Sequence, residues 1–270
     1  MPAIQPVRLS AQIDELVSTF DDPLAFSRAM HALLNFYADR TLRSSQVIEA
    51  APLLHSYRIA PPVMRQIEKT LQARVDDAPE QALILADQLW SERWLETRLL
   101  AIAIVGNLSG EFKQEIISRI TAWGMECKED KVLRSLLSKG LAHIRLTAFD
   151  EYLALLESWL LSSDPAKVYL GIHALPALLK IKSFENLPLI FRWLMPQVRE
   201  INSTHKSDLI YVIRLLIQRS PQETAYFLRQ ALNVTVDKQT SALIRRVLDD
   251  FPESLRQTLH ETLRASRLQP

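Results

Sequence analysis

At 270 residues the chain is long for one compact core but ordinary for a helical solenoid. An apolar share of 48% supplies a substantial core, whereas five glycines are too few for the turns and phosphate loops of an α/β enzyme. The net charge of +1 excludes a uniform polyelectrolyte, and a single cysteine, Cys127, excludes an internal disulfide framework. Leu, Ala, Arg, Glu and Gln dominate and β-branched runs are scarce, which predicts an all-α chain. The N-terminal MPAIQPVRLSAQ has no apolar core region or cleavage signature, and no apolar run approaches a membrane span, so a cytoplasmic protein is expected.

In chain order, Ser10 is the expected N-cap of a first helix through Ile13, Leu16, Val17 and Phe20, stopped by Asp21–Asp22–Pro23. A second helix is predicted from Pro23 to Tyr37, and a third, capped by Ser44 or Ser45, runs through Val47, Ile48 and Leu53. Tyr57 to Pro62 reads as a rigid connector, because each proline fixes its own φ and biases the residue before it away from helix. From Pro62 a helix carries Val63, Ile67 and Leu71.

Beyond Pro79 the helices come in pairs. First helices are expected near Pro79, Glu111, Phe149, Phe184 and Pro221, and their partners near Trp94, Glu129, Pro165, Thr204 and Val236. The starts recur roughly every 32–38 residues, the period of helical-hairpin solenoids. A capping helix from about Pro252 to Ala265 closes the series. The stretch Leu89 to Leu108, LWSERWLETRLLAIAIVGNL, holds the most completely apolar of these helices, so it is expected to be covered on several sides. The whole is read as one HEAT-like or armadillo-type α-solenoid of six or seven pairs, with residues 10–75 as N-terminal helices and 79–250 as repeated pairs.

Enzymatic signatures are sparse. There is no HExxH, CxxC, GxSxG or Gly-rich phosphate loop, and the six histidines are scattered. His173 lies in the apolar GIHALPALL, where a satisfied buried imidazole is expected. Acidic pairs at Asp21–Asp22, Asp76–Asp77 and Asp249–Asp250 fall where helices end and read as capping residues. Charge is uneven: Pro165 to Arg246 holds twelve Lys or Arg against five Asp or Glu, a net of +7, and the remainder is acidic by six.

Two helical stripes bear on binding. On a helix expected from Glu129 to Arg145, Leu133, Leu136, Leu137, Leu141 and Ile144 form the buried face, and Lys131, Arg134, Ser138 and Arg145 lie on another. On a helix from Thr204 to Gln218, Leu209, Val212, Ile213 and Leu216 are the core face, and Ser207, Tyr211, Arg214 and Gln218 form a second stripe. An aromatic beside an arginine can hold a phosphate and stack on a base.

Three segments resemble the AlkD-like DNA alkylation repair family. Tyr57–Arg58–Ile59–Ala60–Pro61–Pro62–Val63–Met64–Arg65–Gln66–Ile67 is similar to its opening segment, with Arg58 where that family has Gly. LWSERWLETRLLAIAI resembles its aromatic, turn and E-x-R-x-x-A segment, and Tyr211–Val212–Ile213–Arg214 before Pro221 resembles its W-x-L-R helix. The resemblance implies a HEAT-like superhelix with a basic concave face for duplex DNA. It also implies release of N3- or N7-alkylated purines without metal or other cofactor. The family's W-D-x-x-D segment falls on WGMECKEDKVLRSL, which has no W-D pair, leaving Glu129 or Asp130 as the only substitutes for the catalytic carboxylate. At the D-N-x-W-x-x-R segment, Lys167 takes the aromatic position and Leu170 the arginine position. The expected function is therefore DNA-backbone binding through Arg134, Lys167, Tyr211 and Arg214, with glycosylase activity weak or absent. Two other readings stay open: a protein-binding scaffold with no nucleic-acid role, and an active glycosylase using Glu129 or Asp130. No membrane or metal partner is expected.

Overall fold

The computed structural model describes residues 5–39, 53–201, 203–234 and 238–265. Its regular elements are helices. Among the described residues the β-type pairing is an isolated parallel bridge between His55 and Trp94. The chain divides into two compact units, Met1–Tyr152 and Leu153–Pro270.

The first unit contains α1 (Pro6–Ser18), α2 (Pro23–Tyr37), α3 (Pro61–Asp77), α4 (Pro79–Ser91), α5 (Leu95–Asn107) and α6 (Lys113–Glu126). It continues with α7 (Asp130–Ser135), a π-helical turn over Leu136–Gly140, and α8 (Ala142–Thr147). Prolines open α1 to α4, where a missing N–H is harmless and a fixed φ suits the first turn. That preference moves the start of α1 to Pro6, with Gln5 as N-cap, so Ser10 lies inside the helix and does not cap it. The carboxylate of Asp22 accepts the N–H groups of Leu24 and Ala25 at 3.0 Å each, which caps α2 over the expected Pro23–Tyr37. The third helix expected from Ser44 or Ser45 lies outside the described residues, apart from its last member Leu53.

Helices α1, α3 and α5 pack in one row, and α2 and α4 in another. The apolar run of α5 fulfils its expectation: Leu100 through Val105 are all buried, with α3, α4, α7, α8 and the π turn packed around the helix. The single helix expected from Glu129 to Arg145 is not continuous. It is α7, the π turn and α8, although Leu133, Leu136, Leu137, Leu141 and Ile144 are all buried as expected. The interruption has a tertiary cause. A Cβ on Gly106 of α5 would collide with the Lys139 carbonyl oxygen, and a Cβ on Gly140 would meet Ile120 Cδ1 at 3.1 Å. The widened turn thus lies against α5 at a separation only glycine allows. Arg145 donates from Nη1 to the Ser138 carbonyl at 3.1 Å, supplying a donor to that turn.

The second unit holds residues 153–160 of α9 (Phe149–Leu160), then α10 (Pro165–Leu179), α11 (Leu187–Arg199) and α12 (Lys206–Arg219). It ends with α13 (Pro221–Val234), α14 (Lys238–Val247) and α15 (Glu253–Ala265). Helices α10, α12 and α14 form one row, and α11, α13 and α15 the other. The expected start near Phe184 shifts to Leu187, because Phe184 is buried in the preceding turn and Asn186 caps the helix through Leu189 N–H at 3.3 Å. Arg219 holds that turn. Its Nη1 donates to the carbonyls of Leu179 (2.7 Å) and Ile181 (2.8 Å), and its Nη2 to those of Lys182 (3.1 Å) and Phe184. The start near Thr204 shifts to Lys206 behind a 3-10 turn over Ser203–His205, and residue Val236 lies outside the described set. Among the described residues, no helix is long and apolar enough to cross a membrane.

Candidate nucleic-acid interface

In the first unit the polar groups gather where the connector before α3 meets the turn between α4 and α5. His55 N–H donates to the Arg93 carbonyl and Leu95 N–H to the His55 carbonyl, both at 2.9 Å. These bonds bring Tyr57 flat against Trp94, with ring centroids 4.1 Å apart and planes 11° apart. His31, on α2, reaches the same place. Its Nε2 lies 2.9 Å from Glu92 Oε2 and its Nδ1 3.0 Å from the Tyr57 hydroxyl. With the proton on Nε2 facing the carboxylate, Nδ1 accepts from the Tyr57 hydroxyl. Ser27 donates to the other Glu92 oxygen. Burial first, then the charges of Glu96 and Glu92, push the Tyr57 phenol above its ordinary range, so it remains a donor.

Beneath this edge Glu96 is buried, at 4% exposure. Its Oε1 accepts from Ser56 Oγ at 2.8 Å and from Arg58 N–H at 3.0 Å. Trp90 stacks on Trp123 at 4.6 Å between ring centroids, and the Arg98 guanidinium lies over Trp90 at 4.8 Å. Both tryptophans of the LWSERW turn are therefore packing groups, Trp90 against Trp123 and Trp94 against Tyr57.

The carboxylates singled out from sequence sit on the same unit. Glu129 is half-buried and accepts the Leu53 N–H at 2.9 Å, two residues before the His55–Trp94 bridge. Asp130 is exposed and pairs with Arg134 at 3.3 Å on its own helix, so these two expected site residues spend their charge on each other. Cys127 is buried, and burial pushes its thiol upward. Among the described residues, no cluster of His, Cys, Asp and Glu is arranged to hold a metal ion.

The second unit brings together α10 and α12. Ser207, Tyr211, Arg214 and Gln218 are all exposed along α12, in the register expected from the spacing. Tyr211 is 50% exposed. Arg214 is not a free cation: Nε donates to Asp250 at 2.9 Å and Nη2 to the Arg246 carbonyl at 3.3 Å. Lys167, on the first turn of α10, is half-buried and makes no ion pair among the described residues. The +7 segment is thus partly neutralised by carboxylates outside it, since Arg192 pairs with Glu157 at 2.6 Å and Arg214 with Asp250 at 2.9 Å, while Arg219 is engaged by four carbonyls.

Sequence reading missed two groupings. One is the His31–Tyr57–Glu92 network, whose members lie up to 61 residues apart in the chain. The other joins α10 to α12: His173 Nε2 lies 3.3 Å from Asp208, and Tyr169 packs edge-on against His173 and tilted against His205. The His173 side chain is 5% exposed, matching the buried imidazole expected of it. Burial holds His205 below its ordinary range, with Asp208 opposing and His173 adding to the shift. The local signal for the second group was Tyr169 and His173 at i and i+4 on one helix face.

A family model described as DNA alkylation repair enzyme matches residues 55–207. No curated protein and no solved structure gives a match. The match covers more than half of the chain and opens at His55, the residue that bridges to Trp94. It includes Glu129, Asp130, Arg134 and Lys167, and closes just before Tyr211 and Arg214. The chain belongs to the DNA alkylation repair enzyme family.

Proposed function

We propose that this member of the DNA alkylation repair enzyme family binds duplex DNA through its backbone phosphates, with base-excision chemistry weak or absent. The observation that carries this reading is the family match, whose span takes in the aromatic edge at Tyr57 and Trp94, the Glu129–Arg134 segment and Lys167. Lys167, Tyr211, Arg134 and Arg214 are the contact residues of this reading. The HEAT-like superhelix of the family and a cytoplasmic location belong to it as well.

The electrostatics support weak chemistry. A carboxylate stabilises a cationic sugar in the transition state when it is preorganised and shielded from water. Asp130 is exposed and already balanced by Arg134. Glu129 is the better placed of the two, held by the Leu53 amide beside the bridge to Trp94, and this favours a second reading in which it retains glycosylase activity.

A single preparation separates the two readings. A methylated duplex and its unmodified counterpart are titrated for binding, and the methylated one is then assayed for free purine. Binding to both without release supports the first reading. Release that Glu129→Gln abolishes establishes the second, and absence of binding to either duplex at low salt removes both.

A further inference from the structure

Helices α11 and α13 belong to the row of the second unit that does not carry Lys167, Tyr211 and Arg214. Between them lies a groove with a volume of about 1010 Å³. Its floor is aromatic: Phe191 stacks on Phe227 with ring centroids 4.9 Å apart and planes 21° apart. Met195 and Pro196 line it from α11, and Tyr226, 63% exposed, lines it from α13. Gln230 donates to the Tyr226 hydroxyl at 2.8 Å from one turn along the same helix, which anchors this exposed ring.

Two arginines line the groove, and they differ. Arg192 pairs with Glu157 at 2.6 Å. Arg199 makes no ion pair among the described residues, and its Nε is buried without a hydrogen-bond partner. A buried N–H left unpaired costs free energy, and a cationic one gains most from an ionised acceptor. Glu200 and Glu223 are exposed at the same groove, and neither pairs with a cation among the described residues. They oppose a polyanion such as duplex DNA, whereas a single carboxylate on Arg199 avoids most of that repulsion.

The shape favours a helix as occupant. From Pro188 to Arg199 the lining of α11 rises about 16 Å, which matches three turns of a second helix laid along it. The volume stands at the upper limit of the roughly 300–1,000 Å³ typical of small-molecule sites. Exposed Tyr, Met and Arg over an apolar floor are the residue types that anchor protein interfaces. We infer that the α11–α13 groove docks an amphipathic helix of a partner protein, with an Asp or Glu of that helix on Arg199 and its apolar face on Phe191, Met195 and Tyr226. This surface is separate from the proposed DNA contacts and does not depend on them.

The test is selection of a displayed library of helical peptides, each about fifteen residues long, on the full chain. Enriched peptides are expected to carry apolar residues one turn apart and a shared acidic position. Changing that acid to its amide lowers affinity for the wild-type protein about tenfold, and has little effect on affinity for Arg199→Gln. Tyr226→Ser, at an exposed position, weakens binding with an unchanged thermal midpoint, and a short DNA duplex does not displace the peptide. The inference is overturned if no peptide is enriched, or if enriched peptides bind Arg199→Gln and Tyr226→Ser as tightly as the wild type. Displacement by duplex would make the groove a nucleic-acid site instead. A dimer in sedimentation that Tyr226→Ser dissolves would assign it to a second copy of the chain.

Discussion

Tyr57 lies flat on Trp94, its ring centroid 4.1 Å away and its plane inclined by 11°. That contact fastens the connector before α3 to the turn that opens α5, and His31 closes it from α2 by reaching the Tyr57 hydroxyl at 3.0 Å. Trp94 also meets the rings of His31 at 5.6 Å and His55 at 5.2 Å. Replacing Trp94 by Leu removes the shared partner of three rings. The expected cost is about 2 kcal/mol, below that of a fully buried tryptophan because the ring is half-exposed. Urea unfolding checks it; a change under about 0.5 kcal/mol would mean that the stack contributes little.

Gly106 makes a sharper prediction. A methyl group there meets the Lys139 carbonyl, a backbone atom of the π turn that cannot swing away as a side chain can. Gly106→Ala is expected to cost about 1–3 kcal/mol despite the better helix propensity of alanine. Gly110→Ala is the control, since its nearest neighbour would be His143 Nε2 at 3.9 Å. Equal stability of the two variants would contradict the close approach of α5 and the π turn.

Arg219 supplies donors to four carbonyls in the turn after α10. Lysine carries the same charge but lacks the planar fork, so Arg219→Lys leaves several of these carbonyls unpaired. A loss of about 2 kcal/mol is expected. Thermal unfolding should show it at every salt concentration, because carbonyl contacts depend little on screening.

His205 contributes a pH dependence. Burial holds its folded-state value below the ordinary 6.5, so the unfolded chain binds the proton more readily. Its neutral form costs nothing at pH 8. As pH falls through 6.5 toward the lower folded value, proton uptake favours unfolding and stability declines. His205→Gln is expected to flatten that part of the stability profile, and an unchanged profile would assign the acid loss to other groups.

Much of the fold was legible because its signals were local. Pro23, Pro79, Pro165 and Pro221 each begin a helix where the sequence placed one, and the apolar spacing of α12 set both its core face and its exposed stripe. What escaped reading was tertiary. The break after Ser135 arises from glycine contact between α5 and the π turn, and periodicity within residues 129–145 carries no trace of it. The site followed the same division. Tyr211 and Arg214 fell on one face as expected, yet Asp250, 36 residues away, pairs with Arg214. The Glu92 and His31 pair joins two segments that had no shared motif.

The proposed function is phosphate-mediated binding of duplex DNA. The direct measurement is the equilibrium constant for a short duplex across about 50–200 mM salt, for the wild-type protein and for Lys167→Ala. A linear fall of log K against log salt is expected, with a slope reduced by about one unit in the variant. Binding that is absent at 50 mM salt, or that shows no dependence on salt, would contradict it.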